Sequence, residues 1–170
     1  MEMNQSRRII RSAEKRDLQA LLDIYNYEVE CGVATFDLHP KEMTEWKEWF
    51  AHHNVENHPL LVMEENGEVI AYASLSPYRE KEAYISTVEL SIYVAPAHRG
   101  KGVASALMEE ILRLAREDKL THTVVSVITS GNAASTHLHE KFGFIYGGTI
   151  REVGWKMGRF LDIDNYYLIV

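Results

Sequence analysis

Cysteine is nearly missing: Cys31 stands alone among 170 residues. A single thiol excludes an internal disulfide and any cysteine-based zinc site, and it fits a reducing compartment. Cys31 reads as a small buried core side chain. The eight histidines are scattered, and no His-Glu-x-x-His pattern occurs. His52 and His53 are adjacent and would point about 100° apart on a helix. No metal site is expected. Cations are outnumbered, 18 Lys and Arg against 25 Asp and Glu, for a net charge of −7. The basic footprint of a nucleic-acid binder is therefore missing, and no nucleic-acid partner is expected. A few oriented N–H groups can still hold a small anion against a diffuse acidic surface. No apolar run approaches membrane-spanning length, and the opening MEMNQSRR has no apolar signal core. These absences lead to the expectation of a cytoplasmic protein with no membrane partner.

Core material is ample, since 46% of the residues are apolar. Without repeats, linkers or low-complexity segments, the chain reads as one domain over residues 9–170 behind an N-terminal tail, 1–8. Ile9 to Arg11 is a short strand. Leu18, Leu21, Leu22, Tyr25 and Val29 fall at helical spacing from about Asp17. A turn-like region, Ala34 to Pro40, leads to a second helix carrying Met43, Trp46, Trp49 and Phe50. Leu60 to Met63 and Val69 to Leu75 read as strands joined by the hairpin signal Glu65-Asn66-Gly67. A polar loop, Ser76 to Glu82, precedes a long strand, Ala83 to Val94, ended by Pro96. A helix to about Asp118 follows, with a broad apolar face. Thr123 to Ile128 is a strand and Ala133 to Lys141 a short helix. Phe144 onward returns to strand, and Tyr166 to Val170 is a terminal one. The pattern predicts a mixed α/β layer fold with helices on both faces of a central sheet.

HRGKGVASAL, residues 98–107, joins the long strand to its helix. A Walker loop would need glycine at position 95 and a hydroxyl residue at 102; Ala95 and Gly102 stand there. A dinucleotide fingerprint would need a third glycine where Ser105 stands. It would also need a carboxylate after the next strand, which ends in Thr129-Ser130-Gly131. What remains is Arg99-x-x-Gly102-x-Ala104. Its glycines allow close backbone approach, and the first-turn amides of the helix point outward together. The residues alone leave two readings open, a pyrophosphate cradle or a turn whose amides bind water.

The strand Ile85 to Val94 puts Thr87, Glu89, Ser91 and Tyr93 on one face and Val88, Leu90, Ile92 and Val94 on the other. Glu89 is its one carboxylate. It is a general base if partly desolvated, and a solvated glutamate if the face is open.

The loop resembles the acetyl-CoA-binding motif of the GNAT superfamily of N-acetyltransferases, R/Q-x-x-G-x-G/A. A second signature agrees: Asn132-Ala-Ala-Ser135-x-x-Leu138-His139-Glu140-Lys141-x-Gly143-Phe144. Ile24-Tyr25-Asn26, Ala34-Thr35-Phe36, Thr87-Val88-Glu89 and Val153-Gly154-x-Lys156-x-Gly158 resemble the phosphinothricin N-acetyltransferase branch, from about Ile9 to the C-terminus. The chain departs from that branch at Gly158-Arg159-Phe160-Leu161-Asp162, where the branch often has tryptophan in place of Phe160.

The resemblance implies a largely antiparallel central sheet flanked by helices, acetyl-CoA as co-substrate, a small-molecule amine as acceptor, and a homodimer. It places the general base at Glu89, acting through a water. The main chain of Ile92, Tyr93 and Val94 would hold the pantetheine arm and polarise the thioester oxygen. Gly100, Lys101, Gly102, Val103, Ala104 and Ser105 would hold the pyrophosphate, with Arg99 and Lys101 assisting or simply solvated. Asn132 and Ser135 would contact the cofactor; Asn132 alone also reads as an N-cap. His139 stands where many members carry a tyrosine, and it either donates a proton to the departing sulfur or fills the space. Arg79 would anchor a substrate carboxylate, with Tyr84 and Thr87 nearby and Phe36 as a pocket wall. Lys156 and Arg159 would reach the site from their own or a partner subunit. Acetylation of a protein or peptide, and a non-catalytic CoA sensor, are the alternatives.

Overall fold

The computed structural model describes residues 6–170. Of the tail expected at 1–8, residues 1–5 lie outside the described ones, and Arg8 already belongs to the first strand. The elements are β1 (Arg8–Ser12), α1 (Leu18–Cys31), α2 (Met43–Ala51), β2 (Leu60–Glu65), β3 (Glu68–Pro77), β4 (Thr87–Val94), α3 (Val103–Glu117), β5 (Thr123–Thr129), α4 (Ala133–Lys141), β6 (Ile145–Lys156) and β7 (Arg159–Ile169). The seven strands form one sheet in the order β1-β2-β3-β4-β5-β7-β6. Every neighbouring pair is antiparallel except β4 and β5.

Alternation along the inner strands builds two cores. Leu61 and Met63 of β2, Val88 and Leu90 of β4, and Val124 and Ile128 of β5 face α3. Leu60 and Val62 face the other way, with Tyr72 of β3, onto Leu21 and Ile24 of α1 and Trp46 of α2. A sheet covered on both faces needs apolar residues on both, which is why β2 reads as an unbroken apolar run. On α3, Val103, Leu107, Met108, Ile111 and Leu112 are all at most 2% exposed. Their i, i+4 spacing makes the stripe that buries the helix. The β2–β3 hairpin turns on Asn66 (φ 52°) and Gly67 (φ 88°), two left-handed residues that match the twist of the flanking strands.

Three expectations are corrected. The strand expected from Ala83 starts at Thr87. Residues Glu82–Tyr84 instead make a turn of 3-10 helix, because Tyr84 folds back onto Tyr78 (ring centroids 5.5 Å apart) rather than pairing in the sheet. The terminal strand starts at Arg159, not Tyr166, and pairs along β6 through a turn at Met157 (φ 51°) and Gly158 (φ 74°). Two register shifts in β6 break the two-residue alternation that would have disclosed the pair. Cys31 is exposed at the end of α1 rather than buried.

Candidate active site

The parallel strands β4 and β5 pair over only three rungs, Thr87–Thr123, Val88–Val124 and Glu89–Val125. Beyond them β4 stays with β3 and β5 stays with β7, so the sheet splits. Ala95 donates its N–H to the Ile70 carbonyl of β3 (2.8 Å). Main-chain direction alternates along a strand, so Tyr93 and Ser91 also face β3. The N–H groups of Ile92 and Val94 therefore point into the split. A cavity of about 610 Å³ occupies it, walled by Leu90 to Val94 on one side and Ser126 to Thr129 on the other.

The glycine loop closes one end of this cavity. Gly100 (φ 71°) and Gly102 (φ 78°) are both left-handed, and Gly102 is the N-cap of α3. No side chain caps that helix, so its first-turn amides at Val103, Ala104 and Ser105 are left for a ligand. This is the geometry that suits an anion. Lys101 is exposed and does not line the cavity. Arg99 spans from the loop to α1, ion-paired with Glu28 (2.8 Å) and donating to the Val94 carbonyl (3.2 Å). Lys141 of α4 donates to Ser105 (3.4 Å) and brings a cation to the same end.

Asn132 caps α4, its side chain accepting from the Ser135 amide (3.1 Å), and both residues line the cavity. His139, 6% exposed, lies deeper. Its Nδ1 is 2.7 Å from the Ser135 carbonyl and its Nε2 is 2.8 Å from Ser126 Oγ. A carbonyl only accepts, so Nδ1 carries the hydrogen. Burial holds the ring below the usual histidine range, hence neutral, and Nε2 accepts from Ser126. Both nitrogens are thus engaged, with no hydrogen left over for a sulfur.

On the opposite face of β4, Thr87, Glu89, Ser91 and Tyr93 project together, opposite Ser76, Ser74 and Tyr72 of β3. Glu89 is half-buried, and burial raises its carboxyl above the usual range. A second cavity, about 360 Å³, opens on this face. Tyr25, Trp46, Trp49, Tyr72 and Tyr93 line it together with Ser74, Ser76 and Ser91. The rings are stacked in series, Tyr25 on Trp46 at 5.2 Å and Trp46 on Trp49 at 4.3 Å. Ser91 and Tyr93 border both cavities, so the two meet at β4; Glu89 precedes Ser91 on the same face and lines neither.

A model of the acetyltransferase (GNAT) family matches residues 21–144. The chain belongs to that family. It is 38% identical over 161 residues to a phosphinothricin N-acetyltransferase of Streptomyces coelicolor, covering 92% of this chain and 93% of that one. It is 39% identical over 155 residues to an L-methionine sulfoximine/L-methionine sulfone acetyltransferase of Pseudomonas aeruginosa, covering 91% and 90%. Among solved structures, a ribosomal-protein-alanine N-acetyltransferase of Brucella melitensis superposes with a TM-score of 0.92 at 40% identity, covering 95% of this chain and 99% of that one. A phosphinothricin acetyltransferase of Sinorhizobium meliloti in complex with acetyl-CoA superposes with a TM-score of 0.90 at 33% identity, covering 96% and 88%.

In this acetyltransferase the expected site residues fall into separate groups. Ile92, Tyr93, Val94, Arg99, Gly100, Gly102, Val103, Ala104, Ser105, Asn132, Ser135 and His139 line the cavity in the split. Thr87 shares a face with Glu89. Arg79 is exposed, its guanidinium 5.0 Å from the Tyr78 ring and 5.7 Å from the Tyr84 ring. Phe36 packs on the Gly154 backbone, so closely that a Cβ there would run into its ring. Lys156 is 4% exposed and donates to the Thr35 carbonyl (2.8 Å), holding the same loop, while Arg159 is exposed. Sequence reasoning missed Ser126, Lys141 and the whole aromatic cavity. Trp46 and Trp49 carried a signal, an aromatic pair on one amphipathic helix, but it reads equally well as core. Among the described residues no group of three or more His, Cys, Asp or Glu is arranged to hold a metal. Among the same residues no helix is long and apolar enough to cross a membrane.

Proposed function

We propose that this enzyme moves the acetyl group of acetyl-CoA to the amine of a small amino-acid-like substrate of the phosphinothricin, methionine sulfone or methionine sulfoximine type. The observation that carries the reading is the meeting of two cavities at Ser91 and Tyr93 of β4, one walled by split strands and uncapped amides, the other by aromatic rings and serines, with Glu89 next to Ser91 on the same face of the strand. The relatives named for such amino acids support it.

The pyrophosphate of acetyl-CoA lies on the amides of Gly100 to Ser105, and the pantetheine arm runs along Ile92 to Val94 past Asn132 and Ser135. The amine enters as an ammonium. Glu89 accepts one proton through a water, and the freed nitrogen attacks the thioester carbon. The new C–N bond places negative charge on the carbonyl oxygen, which the Val94 N–H stabilises. The C–S bond then breaks, the amide forms, and the thiolate takes up the proton that the nitrogen still has to lose. Arg79, beside Tyr78 and Tyr84 and outside the lining of the aromatic cavity, would supply a cation for the substrate carboxylate at its approach, and Phe36 holds the loop that closes the acceptor side. A cavity of about 360 Å³ suits an amino acid better than a folded protein.

The protein acts as a cytoplasmic homodimer in this reading. Ile145, Tyr146, Ile150, Val153, Trp155, Met157 and Phe160 are all exposed on the β6–β7 hairpin, an apolar band at the sheet edge of the kind that partner surfaces cover. Sedimentation equilibrium should give twice the chain mass of 19.5 kDa. The test of the activity is thiol release from acetyl-CoA with phosphinothricin, methionine sulfone, methionine sulfoximine, other amino acids, polyamines and an alanine-initiated peptide. Amino acids should be turned over and the peptide should not. Binding of acetyl-CoA with no release for any amine would leave a sensor.

A further inference from the structure

Ser76 is the β3 residue directly opposite Glu89. Opposed residues of an antiparallel pair share a face, with Cβ atoms about 5 Å apart. Ser76 also lines the aromatic cavity. Its hydroxyl oxygen lies 2.8 Å from Nε2 of His53, a 6% exposed residue just beyond the end of α2. The His53 Nδ1 is 2.8 Å from the Trp49 carbonyl, and its ring lies 4.2 Å from the Trp49 ring.

These contacts fix the direction of every hydrogen. The Trp49 carbonyl can only accept, so Nδ1 of His53 is protonated. Burial keeps the ring neutral, so Nε2 offers a lone pair, and Ser76 must donate its one hydrogen to it. The lone pairs of Ser76 are left for the cavity. A free serine beside a carboxylate would instead turn its hydrogen toward that carboxylate, stabilising the anion and weakening the base. His53 prevents this. It converts Ser76 into a group that only accepts, next to a second acceptor, Glu89. An ammonium or amine, rich in N–H donors, is what such a pair receives. Among the described residues Ser74 and Ser91, which line the same cavity, have no histidine of this kind.

We propose that Ser76 binds the amine of the acceptor substrate, and that His53 is the positioning residue that holds Ser76 in its accepting orientation. The proposal rests on the reading of Glu89 as the base of an amine acetyltransferase.

The experiment is steady-state thiol release with methionine sulfone varied at saturating acetyl-CoA, and then the reverse. Ser76→Ala should raise the KM for the amine about tenfold, the loss of one hydrogen bond from a charged donor. The KM for acetyl-CoA should stay within about twofold. Ser76→Thr, which keeps the hydroxyl, should recover most of the lost affinity. His53→Leu should raise the amine KM as Ser76→Ala does, and the double variant should be no worse than Ser76→Ala alone. His53→Gln, whose side-chain oxygen can still take the serine hydrogen, should stay near wild type; it carries the test of His53 if the leucine variant does not fold. Wild-type turnover with an unchanged amine KM in Ser76→Ala overturns the assignment of Ser76. Additive losses in the double variant overturn the coupling to His53. No thiol release by the wild type with any amine overturns the acetyltransfer reading itself, and this proposal with it.

Discussion

Glu89 faces Val125 on the last rung before β4 and β5 part. Glu89 thus stands where the split begins, three residues before Ile92, whose N–H points into the cavity. Glu89→Gln should lower kcat/KM at neutral pH by about 10²- to 10⁴-fold, the usual contribution of a positioned base. A carboxylate is a base only when ionised, and burial raises its pKa. The wild-type rate should therefore rise with pH through a limb above the ordinary glutamate range. The variant should lack that limb and recover at alkaline pH, where the amine loses its proton unaided. Thiol-release profiles from pH 5 to 10 check both.

Gly102 caps α3 with φ 78°, and the space around a Cβ there is empty. Substitution therefore acts through the backbone, at a cost of about 1–2 kcal/mol for a side chain in the left-handed region. Gly102→Val should twist the loop and raise the KM for acetyl-CoA roughly tenfold, with the amine KM unchanged. Gly102→Asn should be milder, because asparagine enters that region more readily. Separate KM determinations for the two substrates distinguish the variants.

The chain order of strands and helices was readable because most elements carry a strong signal. On α3 the apolar stripe from Val103 to Leu112 repeats at helical spacing, and at Asn66-Gly67 the turn chemistry is explicit. One wall and the closed end of the cavity in the split were readable as well, since Ile92 to Val94 and Gly102 to Ser105 are contiguous stretches; the other wall, Ser126 to Thr129, was not. The aromatic cavity was not. Tyr25, Trp46, Trp49, Tyr72 and Tyr93 come from four elements, and each looks like ordinary core until the sheet places them together. The same holds for Ser76 and His53, 23 residues apart, whose hydrogen bond is a product of the fold. Strand was legible from Phe144 onward and at the C-terminus, but the start of β7 at Arg159 and its pairing with β6 were not, because bulges and outward apolar residues break the alternation on which strand recognition depends.

His139 holds two groups at once, the Ser135 carbonyl and the Ser126 hydroxyl, both inside the protein. His139→Phe keeps the ring's bulk and its edge contact with Phe144 but removes both partners. One buried hydroxyl and one carbonyl would lose their bonds, which predicts destabilisation of about 2–4 kcal/mol. If the ring only positions Ser126, the pH–rate profile of the surviving enzyme keeps the wild-type shape. Loss of an alkaline limb would instead identify His139 as the donor to the departing sulfur. Urea unfolding and pH–rate profiles on one preparation give both answers.

Gly154 and Phe36 are in contact across the gap between β6 and the loop after α1. Gly154 needs no special backbone angle, so its smallness alone matters. Gly154→Ala should push the Phe36 ring outward and shift a loop that also hangs on the Lys156 bond to Thr35. Overpacking of this kind costs about 1–3 kcal/mol. The amine KM should rise while the KM for acetyl-CoA stays unchanged. Gly154→Ala combined with Phe36→Leu should recover stability, because the shorter side chain vacates the collision.

Burial holds His53 and His139 below the ordinary histidine range. The unfolded chain takes up protons at these residues near pH 6.5, whereas the folded chain does so only at lower pH. Between those points the unfolded state binds more protons, so stability falls as pH falls. Each residue contributes a slope of up to about 1.4 kcal/mol per pH unit in that window, and nothing above it. Burial lowers His58 in the same way; Glu89, raised by burial, acts in the opposite direction, and most other carboxylates titrate below about pH 5. Urea midpoints should be flat from pH 8 to 7 and fall steeply from 6.5 to 5. His53→Gln should reduce that fall, because the glutamine keeps the bond to Ser76 without a proton to gain. An unchanged slope in His53→Gln would mean that the His53 ring titrates in the folded protein as it does in the unfolded chain.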